Sequence, residues 1–297
     1  MADSSISDLF AEKSAPVLSY EFFPPKADKA FESLRKTIAA LRGSAPDFVT
    51  VTYGAGGSTR ARTLEVAALL RDAGFGPVMP HLTCVASSCE ELAETAEKMY
   101  GAGYRNIMTL RGDPPQGEST FTPCVDGLRN ACELVAFLKV LHADFCCGVA
   151  GYPETHPEAV STEDEINYLK SKVDAGASFI TTQLFFDNEH YFRFVDRCRA
   201  AGIEVPILPG LLPAVSLKQI RRFTEMCGSS LPAGLIGDLE QVGGEGDAAE
   251  NAGIRWCVEQ IVGLLESGAP GIHLYILNRS RAALSQDLAT VFKNCTA

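Results

Sequence analysis

The sequence contains no apolar run approaching the ~18 residues that a membrane-spanning helix requires, so a helical membrane protein is excluded. It has no CxxC pair; the nearest spacing, Cys84 to Cys89, is too wide for a zinc or dithiol site, and no metal site is expected. No GxGxxG fingerprint follows a strand-like run, so a Rossmann dinucleotide site is excluded. Positive charge is scarce: 26 Lys and Arg stand against 37 Asp and Glu, for a net charge of -11. Such a surface repels nucleic acid and anionic membranes, so any anionic ligand must be met by a local group of cations. Residues 1–20 lack a basic stretch followed by an apolar block, which leaves a reduced cytoplasmic setting as the expectation for the ten cysteines.

What is present is a rhythm. Eight runs read as strands: Val17 to Phe22, Phe48 to Tyr53, Val78 to Val85, Asn106 to Gly112, Phe145 to Tyr152, Phe179 to Phe186, Val205 to Leu212 and Gly271 to Leu277. Most are continuously apolar or β-branched, as strands covered on both faces are. Amphipathic helices lie between them, with Phe31, Leu34, Ile38 and Leu41, or Ile166, Leu169 and Val173, at helical spacing. Ser87 with Glu90, Thr162 with Glu165 and Ser216 with Gln219 fit capping boxes. Ala-Gly pairs ending at Gly74, Gly103, Gly176 and Gly202 fit helix stops. Eight βα units without a topological break predict an α/β fold, a single eight-stranded TIM barrel over residues 1–297, since such a barrel needs about 250 residues. Residues 1–15 are expected to form a flexible extension, Leu231 to Ala249 a mobile insertion and Ser280 to Phe292 a closing helix.

Barrel chemistry is carried at the C-terminal ends of the strands. Collected there are Glu21, Thr52 and Tyr53 before Gly54-Ala55-Gly56-Gly57, His81, Arg111-Gly112-Asp113, Tyr152 and His156, Gln183, and Tyr275 with Asn278 and Arg279. Glu21, within an apolar run and ahead of Phe-Phe-Pro-Pro, is either a solvated strand end or a carboxyl whose apolar wall favours the neutral acid. Asp113 fits a turn aspartate before proline equally well. On the residues alone, His81 reads as a satisfied core histidine and Lys172 as a solvated helix lysine. Gln219 fits the third position of a capping box, and Phe223 fits core packing with Leu217 and Ile220.

The runs EFFPPK, VTYGAGGSTR, HLTC, LRGDPP, AGYPETHPEA, DAGASFITTQLFFD, ILPGLLP and LYILNR, in this order from Ser19 to Arg279, resemble the methylenetetrahydrofolate reductase family. The resemblance implies an FAD-dependent barrel that reduces 5,10-methylenetetrahydrofolate to 5-methyltetrahydrofolate with NADH or NADPH by a ping-pong route. It implies similarity to the short bacterial-type members, without a C-terminal regulatory domain, and a homodimer or homotetramer. It makes Glu21 the proton donor and sets Asp113 near the flavin and the folate. Thr52, Tyr53, Ala55, His81, Arg111, Gly112, Ala131, Tyr152, His156, Ala159, Glu165 and Lys172 match cofactor contacts. Gln183, Gln219, Phe223 and Arg279 match substrate positions, with Arg279 facing the glutamate tail of a tetrahydrofolate, polyglutamylated or not. Tyr168 and Ser171 depart from the residues frequent in the family at the adenine side, so both stay outside the site. The rival readings are another barrel flavoprotein, such as a proline dehydrogenase-like amine oxidiser, and a flavin- or folate-binding subunit that depends on an electron-transfer partner.

Overall fold

The computed structural model describes residues 3–53, 60–114, 117–118 and 120–294. Its strands are β1 (Val17–Phe22), β2 (Phe48–Val51), β3 (Val78–Thr83), β4 (Asn106–Leu110), β5 (Cys146–Gly151), β6 (Ala177–Thr182), β7 (Ile207–Leu208), β8 (Gly210–Leu211) and β9 (Gly271–Leu274). The helices are α1 (Ile6–Glu12), α2 (Asp28–Leu41), α3 (Arg60–Asp72), α4 (Cys89–Gly101), α5 (Ala131–Leu141), α6 (Thr162–Asp174), α7 (Asn188–Ala200), α8 (Leu217–Cys227), α9 (Ala233–Gln241), α10 (Gly246–Glu266) and α11 (Gln286–Asn294). All strand pairs are parallel, in the order β7-β6-β5-β4-β3-β2-β1-β9-β8. The result is a nearly closed parallel barrel wrapped by helices.

The seventh strand of the sequence reading is divided at Pro209. Ile207 and Leu208 pair with β6, and Gly210 and Leu211 pair with β9. Proline has no N–H to extend a ladder, but its carbonyl accepts the His273 N–H at 2.9 Å. At Gly210 a Cβ would lie 2.3 Å from Thr182 O and 2.7 Å from Tyr275 Cε2, so only glycine lets the seam close. The barrel therefore has eight strand positions, as expected, with one of them split.

Alternation along each strand separates two cores. Outward residues pack under the helices in the larger cluster, which includes Leu18, Tyr20, Phe22, Val49 and Val51. Inward residues Val17, Phe48, Met79, Met108, Cys146, Phe179 and Leu208 fill one end of the barrel together with Ile6. Ile6 belongs to α1, so part of the stretch expected as a loose extension is a packed helix. The Ile6 N–H donates to Asn106 Oδ1 at 2.8 Å, and Asn106 Nδ2 donates to Ser4 O at 2.9 Å. α1 thereby plugs the end opposite the strand C-termini.

Four local expectations shift. The α4 cap is Ser88 with Glu91, because the Ser87 hydroxyl bonds Val85 O instead. The α6 cap is Ser161, because Thr162 Oγ1 is engaged with Thr155 Oγ1 at 2.8 Å. The insertion over 231–249 is mostly helical: α9 and the start of α10 bury Leu235, Leu239 and Ala249, leaving only a short glycine turn between them. The closing helix starts later than expected, at Gln286.

Candidate active site

The mouth of the barrel, at the strand C-termini, opens into a cavity of about 960 Å³. Its wall includes Glu21, Thr52, Tyr53, His81, Arg111, Gly112, Asp113, Ala131, Tyr152, His156, Ala159, Glu165, Lys172, Gln183 and Phe223, most of the residues singled out in the sequence. Ala55 lies outside the described residues. Gln219 and Arg279 are not part of the wall. The Gln219 N–H donates to Ser216 Oγ at 3.2 Å in the α8 cap, the structural alternative the sequence allowed. Arg279 is half exposed and lies 3.8 Å from Glu250 of α10.

At the floor of the cavity Glu21 ends β1 between two imidazoles. Its Oε2 is 3.6 Å from Nε2 of His81 and 3.6 Å from Nε2 of His273. Burial pushes the His81 imidazole down to about 4, against a smaller opposing pull from Glu21, so this ring is neutral at pH 7. His273 Nδ1 lies 2.8 Å from Ser19 Oγ. Thus β1 and β9, paired in register Ser19 with His273, stack serine, histidine and glutamate inside the barrel. His273 is the functional neighbour that the sequence reading missed. The signal for it was the strand period: His273 stands two residues before Tyr275 and faces the same way.

The loop after β4 is held close to β3. Gly112 has φ +89, and a Cβ there would come within 2.7 Å of Val85 Cγ1. Arg111 makes a two-point pair with Glu158, at 2.6 and 3.1 Å, across to the loop after β5. Its guanidinium also sits 5.3 Å from the Phe121 ring centre. In the β5 loop, His156 Nδ1 accepts the Glu158 N–H at 3.0 Å, which places the proton of a neutral ring on Nε2. Tyr152 meets His156 edge to face at 4.6 Å.

The far wall is one face of α6. Glu165, Tyr168 and Lys172 follow at helical spacing and all line the cavity. Glu165 Oε2 accepts the His156 N–H at 3.2 Å, tying loop to helix. Lys172 is 3% exposed, and its Nζ donates to Ala150 O at 2.6 Å and lies 4.8 Å from the Tyr168 ring centre. Burial lowers its ammonium to about 8, with Glu165 pulling the other way. Tyr168, left out of the site in the sequence reading, is therefore part of the wall.

The family model described as methylenetetrahydrofolate reductase matches residues 6–286. The chain belongs to the methylenetetrahydrofolate reductase family. It is 38% identical over 263 residues to the 5,10-methylenetetrahydrofolate reductase of Escherichia coli K12, covering 89% of this chain and 86% of that protein. It is 36% identical over 283 residues to methylenetetrahydrofolate reductase (NADH) 1 of Arabidopsis thaliana, covering 92% of this chain and 48% of the plant protein. The chain thus spans about half the length of the plant relatives it matches. Among solved structures, an uncharacterised protein from Clostridium thermocellum that binds two copies of 5-methyl-5,6,7,8-tetrahydrofolic acid shares the fold. Its TM-score is 0.69 at 16% identity, over 98% of this chain and 99% of that one. Within this reductase family the cavity at the barrel mouth is the candidate active site. Among the described residues, no helix is long and apolar enough to cross a membrane.

Proposed function

We propose that the chain reduces 5,10-methylenetetrahydrofolate to 5-methyltetrahydrofolate, with NADH or NADPH as electron source and FAD as the bound cofactor. The observation that carries this reading is Glu21 at the floor of a large cavity, flanked by two buried imidazoles, in a member of this family. FAD, when bound, would carry a hydride from the nicotinamide to the folate in two alternating half-reactions.

The wall suits such a group. Thr83 Oγ1, Thr181 Oγ1 and His81 Nε2 are buried without a hydrogen-bond partner in the protein, although their residues line the cavity. Buried polar atoms need partners, and a heteroaromatic ring system edged with nitrogens and oxygens supplies them. Lys172 provides a cation for a diphosphate on an otherwise acidic protein. Gly112 allows backbone to approach where any side chain would strike β3.

Opening the methylene bridge requires a proton at the departing nitrogen. Among the carboxyls that line the cavity, Glu21 is the one set at its floor between the two imidazoles. His273 Nδ1 bonds the Ser19 hydroxyl, which leaves its Nε2 facing the Glu21 carboxyl. Asp113, exposed at the cavity edge, contributes negative charge that favours a cationic iminium in the substrate. Gln183 Oε1 accepts the Leu184 N–H at 2.9 Å, and its amide NH₂ is a donor it can offer to a pterin.

Glu21→Gln tests the assignment. NAD(P)H should bleach the flavin of the variant at nearly the wild-type rate, while oxidation by methylenetetrahydrofolate falls roughly a hundredfold or more, the usual scale for a lost general acid. Equal loss in both half-reactions would remove Glu21 from the proton-donor role. A purified protein that neither carries FAD nor takes it up would remove the flavin reading altogether.

A further inference from the structure

A second, smaller cavity of about 270 Å³ lies between the loop after β5 and one face of α7. Pro153, Glu154 and Thr155 come from the loop, and His190, Arg193 and Arg197 come from α7 at helical spacing. None of the six is part of the wall of the large cavity. The loop is thus shared: Tyr152 and His156 line the large cavity, and the three residues between them line the small one.

Opposite charges face this small cavity without meeting. Neither Arg193 nor Arg197 is in an ion pair among the described residues. Arg193 Nε donates to Glu189 O at 3.1 Å, and Arg197 Nη2 donates to Pro153 O at 3.3 Å. Arg197 Nε is buried and has no hydrogen-bond partner in the protein. The side chain of Glu154 is 14% exposed and uses only one of its two oxygens. Its Oε2 accepts the Ser230 N–H at 2.9 Å and lies 3.5 Å from Nε2 of His190. Its Oε1 is buried with no partner.

Leaving charged groups buried with unused hydrogen-bonding positions is unfavourable, and the direct remedy, a guanidinium–carboxylate pair, is not made. Two like charges four residues apart on α7 also repel each other. One small ligand relieves all of this when it is anionic at the end toward α7 and a cationic donor at the end toward Glu154. An anion alone satisfies the guanidiniums but adds negative charge beside Oε1, and a cation alone does the reverse. The joint requirement selects a zwitterion. The volume lies just below the usual range of ligand pockets, which suits a molecule of few atoms.

We propose that this cavity is a binding site for a free amino acid, with the α-carboxylate held by Arg193 and Arg197 and the ammonium by Glu154 Oε1. The site needs no flavin, so its test stands apart from that of the reductase reading.

The test is a thermal-shift screen of the whole chain against the genetically coded amino acids at millimolar concentration. Acetate, methylammonium and inorganic phosphate serve as probes with charge of one sign. Calorimetric titration follows for the amino acid that gives the largest shift. That amino acid should raise the melting temperature, while acetate and methylammonium should each bind about tenfold more weakly or worse, the scale of one lost charged hydrogen bond. Arg193→Ala removes an exposed side chain bonded only within its own helix, so the free variant should melt as the wild type does. Its affinity for the amino acid should fall about tenfold or more. Glu154→Gln should bring the affinities for the amino acid and for acetate together. No shift with any amino acid, which would mean a cavity filled by solvent alone, would overturn the proposal. Phosphate or acetate binding as tightly as the best amino acid would make this a plain anion seat and overturn it too. So would an affinity that Arg193→Ala leaves unmoved, which would put the amino acid elsewhere on the chain.

Discussion

The buried ammonium of Lys172 makes the stability of the ligand-free protein depend on pH in an unusual direction. Burial brings its pKa from 10.5 to about 8. At about 1.4 kcal/mol for each pH unit, that corresponds to roughly 3 kcal/mol of disfavoured charge. Between pH 8 and pH 10.5 the unfolded chain still holds the proton and the folded one has released it. Stability contributed by this group therefore rises across that window and is flat below it. Lys172→Met keeps the length and removes the charge, so its stability advantage over the wild type should shrink by about 3 kcal/mol between pH 7.5 and 10.5. Urea unfolding of both proteins at several pH values measures this, because every other titrating group is common to the two. Parallel curves would refute the reasoning. An anionic ligand at Nζ turns the same shift around. It favours the charged ammonium, so above about pH 8 binding requires proton uptake, and the affinity for FAD should fall by up to tenfold per pH unit in the wild type only.

His81, lowered from 6.5 to about 4 by burial, should make the wild type lose roughly 3 kcal/mol relative to His81→Gln as pH falls from 6.5 to 4, again read by urea unfolding; curves that do not converge would mean the ring is protonated in the folded state. Ile6→Ala removes a fully buried side chain from the barrel plug and should cost about 2–5 kcal/mol in the urea midpoint. Its kinetic constants should stay near wild type, since α1 lies at the end opposite the cavity, and a loss below ~1 kcal/mol would argue that α1 does not pack as described. Arg279→Ala should change stability by no more than about 1 kcal/mol, because the side chain is half exposed and its pairing with Glu250 is long. If Arg279 nevertheless holds a folate carboxylate, the KM for folate should rise about tenfold or more, the value of a charged hydrogen bond, and an unchanged KM would take Arg279 out of the substrate site.

The reading of the barrel from sequence worked where one residue type determines one outcome. Continuous apolar runs predicted buried parallel strands, and polar residues at their ends predicted the mouth, so Glu21, Arg111 and Gln183 are brought together from β1, β4 and β6 as expected. It failed where the deciding contact is between elements. An apolar run does not say which residues face inward, so His273 was lost among them, although alternation from Tyr275 would have placed it beside Glu21. Pro209 reads as an ordinary strand residue until the seam shows that one half of the strand pairs with β6 and the other with β9. Two adjacent hydroxyls competed for the α4 cap, and only the bond of Ser87 to Val85 O decides for Ser88. Tyr168 lines the cavity as well. Glu165 and Lys172 come from α6, and the helical period puts Tyr168 on the same face between them. A changed side chain on a face that already carries two site residues is better read as a changed contact, because the helix presents that position to the cavity whatever residue stands there.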